Sequence, residues 1–299
     1  IFDIFIEFYL GKNIFGWGAI EIDGEIQPDG SRVVSFFKDE PIAGSFLAGF
    51  ILIIFGHLLK NFNKKKYIPL IFLFISILAL LATGERSNTI KIFLGILIFF
   101  FFVDFIKFKT KLFTLVAISV LFFVFISKSE YLKLRYFGQF LVNFSSKEKT
   151  INFLEESQYF KLYRSGLAVF KNYPIFGVGN KNYRIETCKS KTDQIKYGYE
   201  CTTHPHQIYI EMLSENGLVG TLVIIGIIFY LMYKILRQIF LSRNYIQVGS
   251  FVYIIVSFTP LLPSGSFFSD FNLTLFWINF SIMFGCSKET NLFAKCPIK

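Results

Sequence analysis

Apolar residues gather along this chain into long runs separated by short polar connections, the pattern of helices that cross a bilayer. The first clear run extends from Ile42 to Leu59 and ends in the basic cluster Lys60, Lys64, Lys65 and Lys66. A second covers Tyr67 to Thr83 and stops at Gly84-Glu85-Arg86-Ser87-Asn88. A third covers Thr89 to Ile106 and ends in Lys107, Lys109 and Lys111. The fourth, Leu112 to Ser127, is short, with roughly 16 residues where about 20 cross the hydrocarbon. Beyond a long polar segment, spans are predicted from Leu218 to Leu236 and from Ile246 to Leu262. A turn at Pro263-Ser264-Gly265 and a return over Asn272 to Gly285 follow. Residues 1–20 are apolar but broken by Asp3, Glu7, Lys12 and several glycines, as in the end of a span or an interfacial or re-entrant piece. The expected class is all-α: a polytopic transmembrane helical bundle with one large helical loop. We expect one integral membrane domain over residues 1–299, with the loop, residues 128–207, inside it. Because the chain opens at Ile1 without Met or a signal-like n-region, it is expected to be an N-terminally truncated fragment lacking upstream spans.

The long loop has structure of its own. From Thr150 to Lys171 apolar residues recur at helical spacing (Phe153, Leu154, Phe160, Leu162, Leu167 and Phe170 among them) beside Glu155, Glu156, Lys161 and Arg164. This predicts an amphipathic helix lying on the membrane surface or over the spans. Pro174 and Gly177-Val178-Gly179-Asn180 end it with turn chemistry.

Composition supports a membrane protein: 53% hydrophobic, 19% aromatic, mean hydropathy +0.52. Phe supplies 41 of 299 residues, part of which A/T-rich codon usage explains, but codon bias does not cluster residues into runs. A net charge of +10 raises the question of nucleic acid, yet the basic residues read instead as topology markers. The connections at 60–66, 107–111 and 234–243 and the tail hold thirteen Lys or Arg against one acid, Glu289. The intervening short connections hold few basic residues and more acids, so the basic set is assigned to the cytoplasm. Arg32, Arg86, the loop and both clustered histidines then face outward, which in a bacterium is the periplasmic side of the inner membrane. Cys188 and Cys201 fall on that oxidising side and are placed to close a small disulfide loop. Four unpaired thiols remain the alternative, and Cys286 and Cys296 are expected to be free.

Two of the three histidines stand two residues apart in Thr203-His204-Pro205-His206-Gln207, leading into Glu211 and Glu215-Asn216-Gly217. A neutral imidazole near neutral pH can take a proton from a hydroxyl nucleophile. The alternatives are histidines that only hydrogen-bond a loop to a helix end, or a metal site with Cys201. No His-Glu-x-x-His pattern or cysteine pair completes a zinc set, so no metal and no cofactor is expected. The Gly177-Val178-Gly179-Asn180 turn lacks the third glycine and the Lys-Ser pair of nucleotide loops and is read as a tight turn. Only seven arginines occur, and Arg32, Arg86, Arg135, Arg164 and Arg184 lie on the outer side, where topology does not call for positive charge. Guanidinium groups bind phosphate through paired hydrogen bonds, so several around a membrane-level cavity suit a lipid diphosphate. Each taken singly also fits a snorkelling or surface ion pair. His57, late in a span, is read as structural.

In combination these residues resemble the O-antigen ligase and O-antigen polymerase superfamily of envelope glycosyltransferases. The resemblance is carried by Gly30-Ser31-Arg32 through Phe37-Lys38-Asp39-Glu40 and Gly44-Ser45, by Thr83-Gly84-Glu85-Arg86-Ser87, by Arg164 ahead of Asn172-Tyr173-Pro174-Ile175-Phe176-Gly177-Val178-Gly179, and by His204-Pro205-His206 ahead of Glu215-Asn216-Gly217-Leu218-Val219-Gly220. It implies a polytopic enzyme of the lipid-sugar-dependent (GT-C-like) type that moves glycan from undecaprenyl diphosphate to an acceptor hydroxyl at the periplasmic face. It implies His206 as the base and Arg32, Arg86 and Arg164 as holders of the diphosphate. Joined to the reading of the residues themselves, it leads us to expect His204 or Glu215 to orient His206, and Arg184, as another outer arginine, to bind the diphosphate as well. The acceptor is the lipid A core in a ligase and a second lipid-linked glycan in a polymerase. Two departures stand out: Gln207, where members often carry Asn, and the absent upstream spans. A transporter without transferase chemistry is the alternative, and it predicts ionisable residues and broken helices at mid-span. A membrane scaffold, in which neither histidine matters, is a third reading.

Overall fold

In the runs that the hydropathy pattern marks out, backbone amides in lipid have no water to bond and must pair within their own segment, which makes helix the outcome. The computed structural model describes residues 1–18, 21–22, 25–26, 32–38, 40–62, 65, 67–104, 106–138, 157–286 and 290–291. The described elements are α1 (Phe2–Leu10), a two-residue ladder pairing β1 (Glu21–Ile22) with β2 (Glu25–Ile26), α2 (Ala43–Asn61), α3 (Tyr67–Ala82), α4 (Arg86–Phe102) and α5 (Phe108–Lys128). They continue with α6 (Glu130–Lys133), α7 (Gln158–Asn172), α8 (Tyr183–Thr187), α9 (Lys191–Tyr197), α10 (Ile208–Ser242), α11 (Tyr245–Ser257) and α12 (Asp270–Gly285). Among the described residues α2, α5 and α10 are long and apolar enough to cross a membrane, and α3 and α11 are shorter apolar helices. The chain is an all-α membrane protein, as its sequence predicts.

Several boundaries differ from expectation, and α4 covers Arg86–Phe102 where Thr89 to Ile106 is predicted. The fourth run is not short: Phe108, Lys109, Thr110 and Lys111 join α5, which reaches 21 residues. Lys111 Nζ donates to the Phe100 carbonyl at 2.6 Å, so the cluster read as a flanking connection belongs partly to the helix. The run ending at Leu262 stops being helical at Ser257, because Pro260 disfavours helix in the residue before it and supplies no N–H of its own. The run starting at Leu218 is preceded by a helical segment from Ile208, interrupted at Gly217 (φ 63°, ψ −170°). The amphipathic helix is present as α7 from Gln158, while residues 139–156 lie outside the described residues.

The described chain forms two compact units: residues 1–142, 238–257 and 278–299, and residues 143–237 and 258–277. In the first, α2 packs on α3, α4 and α11. Lipid tails are as apolar as leucine, so such helices associate through close backbone approach and interhelical hydrogen bonds. A Cβ on Gly56 would run into the Tyr245 carbonyl, and one on Gly249 into the Leu52 carbonyl, so α2 and α11 touch through their glycines. Buried Asn279 donates to the Gly49 carbonyl at 3.1 Å, and buried Gln247 donates to the Met283 carbonyl at 2.6 Å. Phe55 and Phe99, both fully buried, fill the α2–α4 contact with ring centroids 5.2 Å apart.

The second unit has a small core of Val169, Tyr183 and Tyr199 beside Ala168 and Val178. Ser165 Oγ bonds Tyr183 Oη at 2.8 Å and accepts the Glu200 N–H at 2.9 Å, joining α7 to the chain on either side of α9. Cys188 and Cys201 are disulfide-bonded, which fastens the α8 end to the residues just before His204.

Candidate active site

The residues singled out in the sequence fall into two groups, one in each unit. In the first unit, α3 ends at Ala82 and the chain turns through Thr83-Gly84-Glu85 into α4, whose first residue is Arg86. Glu85 is buried, accepts the Gly44 N–H at 2.8 Å at the start of α2, and also accepts from the Asn88 amide. One carboxylate thereby bridges the N-termini of α2 and α4, where the unpaired amides of a helix favour negative charge. Burial pushes the Glu85 carboxyl above its usual range; the Arg32 guanidinium, the Asn88 amide and the Ser45 and Gly44 backbone pull the other way. Arg135, one of the five arginines that the sequence sets apart, donates Nε to the Gly84 carbonyl at 3.1 Å. Tyr131, pushed up to about 12 by burial, lies in the electrostatic reach of Arg135 and Arg32 as well as Glu7 and Glu85. Arg32, Arg86 and Arg135 thus gather around one corner, half-buried, with Glu85 among them.

Residues 32–35 are held by α1. Glu7 accepts the N–H groups of Val34 (2.9 Å) and Ser35 (2.6 Å), and Asp3 accepts from Ser35 Oγ. Both acids are buried, and they explain the polar interruptions that made residues 1–20 ambiguous: α1 is a short helix whose acids anchor the Arg32 loop.

In the second unit, Gln207 opens α10. Its Oε1 accepts the Ile210 N–H at 2.8 Å, and its carbonyl takes the Glu211 N–H at 2.8 Å, the work of an N-cap. The departure from Asn at this position therefore keeps the capping hydrogen bond. Just before the cap, His206 stands in the left-handed region at φ 56°, an unfavourable backbone for a residue with a Cβ. Its carbonyl accepts the Ser264 N–H at 2.9 Å. The His204 and His206 rings lie 4.0 Å apart, and the Tyr159 ring meets His206 edge-on at 6.1 Å. His204 Nδ1 pairs with Thr203 Oγ1 at 2.9 Å. Burial, with a smaller push from His206 and an opposing pull from the Ser264 backbone, lowers His204 to about 4, so it is neutral at physiological pH.

Glu215 also binds backbone amides. Its carboxylate accepts the Lys181 N–H at 2.9 Å and a bond from the Tyr183 backbone, holding the turn before α8. The carboxylate bonded to the segment that meets His206 is Glu211, which accepts from Ser266 Oγ and from the Phe267 N–H at 2.8 Å. Glu211 was visible in the sequence as an acid four residues after Gln207; what hid its role is the contact with a turn more than fifty residues away. Arg164 on α7 and Arg184 on α8 are exposed, and both belong to the unit that holds the histidines, whereas Arg32 and Arg86 belong to the other. Among the described residues no group of three or more His, Cys, Asp or Glu side chains could hold a metal ion.

The chain from Pro174 to Gly179 clasps the break in α10. Leu218 and Val219 donate to the Pro174 and Ile175 carbonyls at 2.8 and 3.2 Å, while Val178 and Gly179 donate to the Ser214 and Glu215 carbonyls at 3.0 and 2.8 Å. The glycine-rich turn satisfies backbone groups that the kink would otherwise leave bare.

No curated protein and no solved structure matches the chain. A family model described as O-antigen ligase matches residues 71–225, just over half of the 299 residues. That stretch takes in the Glu85–Arg86 corner, α7, the disulfide, the histidine pair and the clasped start of α10. The chain belongs to the O-antigen ligase family, membrane enzymes that carry out glycosyl transfer of the O-antigen ligase or polymerase type on lipid-linked glycans.

Proposed function

We propose that this protein transfers glycan from undecaprenyl diphosphate to an acceptor hydroxyl at the periplasmic face of the inner membrane, without a metal ion and with inversion at the anomeric carbon. The observation that carries this reading is the strained backbone of His206, pinned at its carbonyl by Ser264 with its ring against neutral His204. Strain of this kind persists where the surroundings over-determine it, and it concentrates at sites of chemistry. Acting as general base, His206 takes the proton of the acceptor hydroxyl as that oxygen attacks the anomeric carbon. The bond from that carbon to the diphosphate oxygen breaks, and its electron pair leaves on undecaprenyl diphosphate. Attack from the face opposite the leaving group inverts the centre. Arg32 and Arg86, with Arg164 and Arg184 as further candidates, neutralise the leaving diphosphate. His204, neutral and in ring contact, orients His206; Glu215 serves the turn that clasps α10.

The disulfide supports an oxidising, periplasmic face for the loop, and it occupies Cys201, the thiol nearest the histidines. The break in α10 stands at the polar end of the helix rather than at its middle, which favours a transferase over the transporter reading. The experiment is gel analysis of lipopolysaccharide from a deletion strain complemented with wild type or Arg86→Ala. Restoration by wild type alone is expected. Loss of every O-antigen band in the deletion strain identifies the lipid A core as acceptor, and retention of single-unit bands identifies a second lipid-linked glycan. Equal restoration by both proteins overturns the assignment of Arg86.

A further inference from the structure

Glu211 takes no part in the step just described, yet it is fully buried and one short segment occupies both its oxygens. Ser266 Oγ donates to Oε1 and the Phe267 N–H to Oε2. Two residues before Ser266, the same segment sends the Ser264 N–H to the His206 carbonyl. The chain leading into it is tied to α10 by Tyr209 Oη, which donates to the Phe258 carbonyl at 2.6 Å, and the segment itself to α12 by the Asn272 amide, which donates to the Ser266 carbonyl at 2.7 Å. A buried carboxylate is tolerated where hydrogen bonds satisfy it, and here those bonds hold the strap that pins a left-handed histidine. The strap lies outside residues 71–225, the part of the chain that the family model covers.

We propose that Glu211 is a positioning residue for His206: through the strap Ser264–Phe267 it holds the His206 main chain in its left-handed conformation and so aims the imidazole. This rests on His206 being the base. A carboxylate that only stabilised the fold would have no selective effect on the imidazole or on turnover.

The test uses the protein of residues 1–299 in nanodiscs, labelled with 15N-histidine. Three histidines give three resolvable side chains, assigned through His57→Gln and His204→Gln. In Glu211→Gln and in Ser266→Ala the His206 imidazole signals should move while those of His57 stay. With lipid-linked glycan extracted from a deletion strain as donor, kcat should fall about tenfold to a hundredfold with KM within about twofold, the pattern of a misaimed catalytic group. Glu211→Gln, which keeps one acceptor oxygen, should lose less than Glu211→Ala; if the alanine variant does not fold, Gln and Ser266→Ala carry the test. Unmoved His206 signals in both overturn the proposal, as do moved signals with unchanged kcat, or a loss confined to KM. Should His206→Ala itself retain transfer, the base assignment fails, and the imidazole signals alone decide whether Glu211 positions the ring.

Discussion

The Leu218 backbone N–H donates to the Pro174 carbonyl at 2.8 Å, across the break that Gly217 makes in α10. Gly217 has φ 63°, and a Cβ there would run into the Ile175 carbonyl. Gly217→Ala is therefore expected to destabilise the protein by about 1–3 kcal/mol, from backbone strain and displacement of the clasp. Gly226→Ala, farther along the same helix with nothing near its added methyl, serves as the control and should be neutral or slightly stabilising. Thermal unfolding in one detergent compares them, and equal midpoints would contradict the clasp.

The Cys188–Cys201 bond closes a short excursion through α9 and ends three residues before His204. Its removal by Cys188→Ser with Cys201→Ser should cost about 2–4 kcal/mol of local or global stability. Lys189, Lys191 and Lys196 stand in that excursion, so limited trypsin digestion should cut there faster in the double variant or after reduction. Unchanged cleavage would show that the bond adds nothing to the order of the loop.

Much of this was legible from the chain alone, for identifiable reasons. The helices follow from runs of Phe, Ile and Leu too long for a strand, and the ends of α2 and α3 are marked by Lys60 and by Gly84. His204, His206 and Arg86 stood out as chemically unusual residues in polar surroundings. The rest depended on contacts between residues far apart in sequence. Glu7 with Ser35, Glu85 with Gly44, and Glu211 with Phe267 are each a single acid meeting backbone amides of a distant segment, and no local period encodes such a pairing. The bond from the Lys181 N–H to the Glu215 carboxylate is a pairing of the same kind. Pro260 ends α11 earlier than hydropathy predicts, since hydropathy does not register a missing donor.

His204 makes a pH-dependent contribution to stability. Its pKa is about 4 in the folded protein against an ordinary value of 6.5. The unfolded chain binds a proton as pH falls through 6.5, and the folded site resists until about 4. The stabilisation is full above that ordinary value and is lost as pH drops through this window, amounting to roughly 2–3 kcal/mol by its lower end. Melting temperatures measured between pH 7.5 and 4.5 should fall more steeply for wild type than for His204→Gln. Parallel curves would show that His204 titrates normally.

Arg86 tests the diphosphate site. Arg86→Ala should lower kcat/KM by about a hundredfold to a thousandfold, as expected when charge stabilisation of a leaving group is lost. Arg86→Lys should recover only part of this, because an ammonium keeps the charge but not the paired geometry. Initial rates with extracted lipid-linked glycan measure both, and full activity in the alanine variant would remove Arg86 from the site.

The most direct measurement is single-turnover glycan transfer by purified wild type and His206→Ala, each shown to be folded and each saturated with lipid-linked donor. A general base contributes about a hundredfold to ten-thousandfold, so the variant should be slower by at least that lower figure while binding donor normally. Equal rates would contradict the account and return the histidine pair to a structural role.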